Sequence, residues 1–483
     1  MTPAAPSRTT RNTTRAQSPA PSSVQPAPSA PPRSEPEPAT RGTLATTLGL
    51  WTLLRKRTAG HFDPQRLTGA LASAAFGVST AVLLLVVGGF GAFWQRSQAP
   101  GATDQDGLYI LLAGTAAALL LVPIITLGGA AARLAMARRD ERLAALRLAG
   151  ATTSQVSVLT LLDACVQALI GGLGGAVGVF ALIPLVLPLN FQGRPFAYTE
   201  LIPPWWIFPA AVAVVVLVAL LSAAASLAKV AITPLGVAAR HTPNPLHWSR
   251  LIPMALAIVT FGVFVQTGGA GLSVLVVILA AGFAMISLVG PWVMGMVGRL
   301  GVRIARNAPA LIATRRIIDD PKGTWRSVGG VALCTFIAGV AAASAMFEPS
   351  PDAPAADRYL IADLTTGGFL MLAIAGALAA VSTGVMGAGR IIDQRGQYRA
   401  LRMAGTEMAV LHRARWRQIM LPLVAAVVIA IAGALLFIIP ALGFTFATSV
   451  PVLVRYLASV VVACGLVLLG TWASSPVVRT VLY

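Results

Sequence analysis

Few residues in this chain have the type and spacing to do chemistry. A phosphate-binding loop needs G-x-x-x-x-G-K-[ST], because backbone amides and the lysine ammonium hold the phosphates. The only lysines are Lys56, Lys229 and Lys322, and none stands in that context. His61, His241, His247 and His412 are scattered, and Cys165, Cys334 and Cys464 lie far apart in apolar runs with no CxxC or histidine spacing. Metal ligation is not expected, and the thiols read as structural. No Ser–His–Asp or paired-carboxylate arrangement emerges. The sequence predicts a chain that is not an enzyme and carries no cofactor, any ATP being bound elsewhere.

What remains is a phrase that occurs twice. Residues 145–150 read ALRLAG and residues 400–405 read ALRMAG, 255 positions on. Arg138, Arg139, Arg142 and Arg147 fall with Leu146 on a predicted short basic helix, which Gly150 can end in the left-handed conformation at little steric cost. Thr152 stands three residues before Gln155, a capping-box spacing that starts the next helix. The second copy supplies Arg395, Arg399, Leu401, Arg402 and Gly405. Each copy predicts a rigid elbow joined to a long helix. A single carboxylate, Asp163, falls about two turns into that helix in the first copy, where it reads as an interfacial group hydrogen-bonded to a neighbouring helix.

The elements that must hold these elbows are set by hydropathy. The chain has 483 residues, is 56% hydrophobic and 11% charged, and has a mean hydropathy of +0.77. A soluble protein of this size needs more polar surface. Continuous runs rich in Ala, Leu, Val and Gly recur, each long enough to cross a hydrocarbon core of about 30 Å as a helix. Ten spans are predicted, near 67–94, 107–132, 155–188, 206–228, 251–267, 272–298, 327–347, 361–388, 409–439 and 450–474. The fold class is an all-α membrane protein. Gly171 with Gly175 and Gly174 with Gly178 form two GxxxG pairs suited to close helix packing.

Charge sets the orientation. With the N-terminus inside and the spans alternating, 32 of the 36 Lys and Arg fall on the inner side. Only Arg96, Arg194, Arg358 and Arg455 fall outside, with Asp104, Asp106, Glu200, Glu348, Asp352, Asp357 and Asp363. The positive-inside rule therefore absorbs the net charge of +19, and nucleic-acid binding is not expected. Both termini are predicted cytoplasmic, in a multi-pass protein of the cell membrane.

Residues 1–42 are rich in Pro, Ala, Ser, Thr and Arg and read as a disordered tail without the apolar region of a signal peptide. Residues 43–66 predict an interfacial amphipathic helix. The two phrases align a first four-span unit, 67–240, with a second, 299–483, across a linking hairpin of two spans, 251–298. The layout is 4+2+4, a parallel repeat rather than an inverted one. In the second copy Gln418 stands where Asp163 aligns.

These motifs resemble the FtsX-like permease family, the membrane subunits of ABC transporters that relay mechanical motion. The basic stretch from Arg138 to Arg142, LRLAGAT at 146–152, LLDA at 161–164, GGLGGAVG at 171–178 and PLGVAAR at 234–240 follow the family's order. The resemblance implies a permease subunit with a separate ABC ATPase in two copies, docked on residues 138–150 and 390–405 as coupling helices. With no large external domain, the implied substrate is amphipathic and met within the bilayer: an antimicrobial peptide, a lipid-like molecule or a drug, exported or extracted. The alternative reading is a non-transporting signal relay that controls a sensor kinase or a cell-wall enzyme. An ion-driven carrier is disfavoured, because no ionisable group falls near the middle of a predicted span.

Overall fold

Long uninterrupted apolar runs leave the backbone one way to satisfy its own hydrogen bonds in lipid, and nearly all of the described chain is helical. The computed structural model describes residues 64–100, 104–136, 152–232, 272–344, 354–393, 396, 400–401, 403–442 and 449–473. The expected tail 1–42, all but the last three residues of the amphipathic helix 43–66, and the expected fifth span 251–267 lie outside them.

The first half comprises α1 (Pro64–Ser97), α2 (Asp104–Met136), α3 (Thr153–Val186), a two-stranded antiparallel hairpin of β1 (Asn190–Phe191) and β2 (Arg194–Pro195), and α4 (Ile207–Ile232). Next come α5 (Leu272–Ile304) and a short helix α6 (Ala308–Asp319). The second half is α7 (Pro321–Ser344), α8 (Ala355–Asp393), α9 (Met408–Leu442) and α10 (Val450–Ala473). Among the described residues, eight helices are long and apolar enough to cross a membrane: α1 to α5 and α8 to α10. The 24 residues of α7 rise about 36 Å.

Small side chains decide which helices sit centrally. Every residue of α7 from Val331 to Gly339 is buried, and α7 packs against α8, α9 and α10. In the first half α1 takes the same place, packed on α2, α3 and α4. The second helix of each half also packs on the fourth, α2 on α4 and α8 on α10. The glycines explain the closest approaches. A Cβ at Gly171 would overlap the Ser73 carbonyl, and one at Gly175 the Gly77 carbonyl, so α1 and α3 touch backbone to backbone. Gly174 of the second expected pair has open space, and a Cβ at Gly178 would make ordinary contact with Ala81. The residues 255 positions after Gly171 and Gly175 are Ala426 and Ala430, both fully buried.

The halves meet chiefly along α2 and α8. Leu119 and Leu120 of α2 enter the apolar core of the second half, and Leu378, Val385 and Ala388 of α8 enter that of the first. The outward surfaces of α3, α4 and α10 carry exposed Leu, Val and Phe, including Leu173, Val177, Leu217, Leu221, Val461 and Leu469. This is the surface a helix bundle presents to acyl chains, where burying apolar groups between helices brings no hydrophobic gain.

Candidate functional site

Each repeated phrase leads into the start of a long helix. Arg138, Arg139, Arg142, Leu146, Arg147 and Gly150 lie outside the described residues, as do Arg395, Arg399 and Arg402. The junctions to the long helices are described in both halves. In the first, the Gln155 amide donates to Thr152 Oγ1 at 3.3 Å, and the Thr152 amide donates to Gln155 Oε1 at 3.0 Å. That is the expected capping box, and it starts α3 at Thr153. In the second, Gly405 has φ of +82° and the Thr406 amide donates to the Leu401 carbonyl at 3.0 Å. This six-to-one bond with a left-handed glycine is a Schellman stop. The Glu407 carbonyl then accepts from the Val410 and Leu411 amides as α9 begins at Met408. The starts of α3 and α9 are 255 positions apart (153 to 408), the spacing of the two phrases.

Asp163 lies half-buried about three turns into α3, two residues deeper than its span limits implied, because the helix starts at Thr153. It takes part in an interaction and is not a bare charge. Its counterpart Gln418 accepts from Arg316 Nη1 of α6 at 3.4 Å, and the neighbouring Arg417 donates to Asn307 Oδ1, the residue that caps α6. The first turns of α9 are thereby tied to a short helix, α6, that the sequence reading did not foresee. The side chains of His61, His241, His247 and His412 fall outside the described set.

At the opposite end of the helices lies a polar cluster that sequence reasoning counted only as loop charges. Arg96, the last basic residue of α1, is 5% exposed. Its Nη1 donates to the Phe191 carbonyl at 2.9 Å and to Gln192 Oε1 at 3.4 Å. Its Nη2 donates to the Pro195 carbonyl at 3.0 Å and to Glu200 Oε2 at 2.8 Å. The Phe196 ring lies 4.6 Å from the guanidinium carbon. One arginine thus holds the β1–β2 hairpin from inside, a fork geometry that lysine could not reproduce. The hairpin turn has φ of 58° at Gln192 and 74° at Gly193, which suits a tight two-residue connection.

Gln192 carries the cluster across to the other half. Its amide donates to Asp363 Oδ2 of α8 at 2.7 Å, and the Tyr109 hydroxyl of α2 donates to the same oxygen at 2.7 Å. Gln192 Nε2 donates to Asp106 Oδ1 of α2 at 2.7 Å. Asp363 is buried, and its two donors come from the first half, so the contact clamps the halves together at this end. For Glu200, burial works toward a higher pKa. The Arg96 hydrogen bond, the Ala197 amide and the charges of Arg96 and Arg194 outweigh it and hold the carboxyl below its ordinary value. No local signal could have found this clamp, since its partners are 86 to 254 positions apart.

With elbows at one end and a clamp at the other, the stretch between them decides the likeness. Residues 114–235 match the FtsX-like permease C-terminal domain. The match runs from the middle of α2 through the first phrase, α3, the hairpin and α4, and takes in the motifs from Arg138 to Gly178, while PLGVAAR at 234–240 lies mostly beyond it. No curated protein and no solved structure matches the chain. The match over residues 114–235 and several membrane-capable helices make this a multi-pass membrane protein. Among the described residues, no group of three His, Cys, Asp or Glu is placed to hold a metal ion.

Proposed function

We propose that this chain is the permease subunit of an ATP-driven exporter, made of two FtsX-like halves in one polypeptide and coupled to two copies of a separate ATPase. The observation that carries the reading is the match over residues 114–235 together with the second phrase at 400–405 and a long helix that starts 255 positions after α3. Reciprocal use of α2 and α8 in the two cores supports the duplication. In this reading ten spans cross the cell membrane as 4+2+4, with both termini and both elbows cytoplasmic.

The mechanism follows from stiffness. A Schellman stop or a capping box fixes the angle between an elbow and its long helix, so a force on the elbow moves the helix as a rod instead of fraying its end. Helix α3 is locked to α1 by backbone contact at Gly171 and Gly175, so the two must move together. At the far end the Arg96–Gln192–Asp363 clamp resists separation of the halves. Nucleotide binding by the ATPases would draw the elbows together and load the clamp. An amphipathic substrate suits a chain whose long helices offer lipid-facing apolar surface and whose described fold at the hairpin end is small.

The test is co-purification with a candidate ABC ATPase partner and the ATPase rate of that complex in lipid. Substituting Arg147→Glu and Arg402→Glu should lower ATPase recovery at least tenfold with the permease still folded. Unchanged recovery would refute docking at the elbows. Vesicles that hydrolyse ATP yet move none of a panel of amphipathic peptides and drugs would favour the signal-relay role instead.

A further inference from the structure

We infer that the end of α5, with α6 beside it, forms a seat for an anionic phospholipid, gripped by its phosphodiester headgroup. Met296, Leu300 and Ile304 recur every four residues on α5 and are all exposed, the last two by more than half. They form an apolar stripe continuous with a membrane-capable helix, wide enough for an acyl chain. Arg299 and Arg303 stand one residue before the last two members of that stripe, and Arg306 follows at the bend into α6. Arg315 is exposed on α6 itself. Among the described residues, none of these four arginines has an acidic partner.

The bend that presents them is built, not frayed. Asn307 Oδ1 accepts from the Ala310 amide at 3.3 Å and so caps α6. Gly298 and Gly301 let α6 lie directly on α5, since a Cβ at either would press on Ile318 or Thr314. Ala313, Thr314 and Ile317 are the buried face of α6. Of the two nearby carboxylates, Asp320 accepts from the Gly323 amide at 2.9 Å, so it is occupied in starting α7. The site therefore offers exposed guanidinium groups, carried on a built bend, at the foot of an apolar stripe.

That pairing selects the occupant. An acidic protein surface would satisfy the arginines but would leave Leu300 and Ile304 facing water. An anionic lipid satisfies both, with its phosphate at the level where guanidinium groups sit and its chain along the stripe. The inference rests on the membrane reading of α5 and not on the ATPase partnership, so the two can fail separately.

The experiment titrates the full-length chain in neutral detergent with phosphatidylglycerol, with phosphatidylcholine of the same chains, and with inorganic phosphate. Thermal unfolding is followed at each concentration. Phosphatidylglycerol should raise the unfolding midpoint and the other two should not. The triple variant Arg299→Gln, Arg303→Gln, Arg306→Gln should lose at least half of that rise, and Leu300→Gln with Ile304→Gln should weaken it separately. A control with Arg8, Arg11 and Arg15 changed to Gln should respond as the wild type. Equal responses to the two lipids, or a triple variant that keeps the full rise, would overturn the inference. So would a triple variant that loses ATPase recovery yet keeps the lipid response, which would make this a protein-docking face.

Discussion

Gly405 and Glu200 each show how one residue's setting fixes what a substitution does. Gly405 sits at φ +82° with open space where a Cβ would go, so the strain of replacing it is purely conformational. Gly405→Ala should cost about 1 kcal/mol at the elbow. Gly465→Ala, in the interior of α10 with equally open space but no left-handed φ, should instead stabilise by about 0.5–1 kcal/mol. Opposite signs in unfolding midpoints, measured in one detergent, check the pair. Glu200 titrates below its ordinary value in the folded chain. Its pairing with Arg96 therefore contributes stability that is full above that ordinary value and is lost as pH falls through the depressed folded one. The midpoint difference between wild type and Glu200→Gln should shrink as the solution is acidified through that window, and a constant difference would contradict the pairing.

Between elements, backbone contact matters more than apolar area, because lipid solvates Leu and Val as well as another helix does. The sequence offered two equivalent GxxxG pairs, and only the fold distinguishes them. Gly175→Ala would push Cβ into the Gly77 carbonyl and should separate α1 from α3, costing about 1–3 kcal/mol as overpacking does. Gly174→Ala, one residue away with nothing near its Cβ, should be neutral or mildly stabilising. Unfolding midpoints and transport or ATPase rates should fall for the first and hold for the second. The elbows follow a different logic. Their stops and starts are local hydrogen-bond patterns, so Gly405, Thr152 and Gln155 could be placed from spacing alone. Helix α6 could not, because its apolar face of Ala313, Thr314 and Ile317 is short and becomes a face only against the glycines of α5.

For the whole molecule, the question is which end faces the cytoplasm. The 32-to-4 division of basic residues predicts the elbow end inside and the hairpin end outside. With Cys165, Cys334 and Cys464 replaced by Ala, a cysteine at Gln98 should react with a membrane-impermeant maleimide on intact cells. One at Met403 should react only after permeabilisation. Both positions are exposed, so a reversed pattern would mean a reversed protein and would end the coupling proposal.

Hydropathy and short-range spacing determined a great deal by themselves: helical class, the limits of eight membrane-capable helices to within several residues, the capping box at Thr152 and the glycine stop at Gly405. These depend on interactions within a few residues or on averages over twenty, which a linear reading contains. The tertiary structure alone decided that Arg96, Gln192, Tyr109 and Asp363 form one clamp, and which face of α3 meets α1. A buried charge draws its partners from wherever the chain returns, and in a bundle of long helices the return path is set by packing rather than by proximity along the sequence.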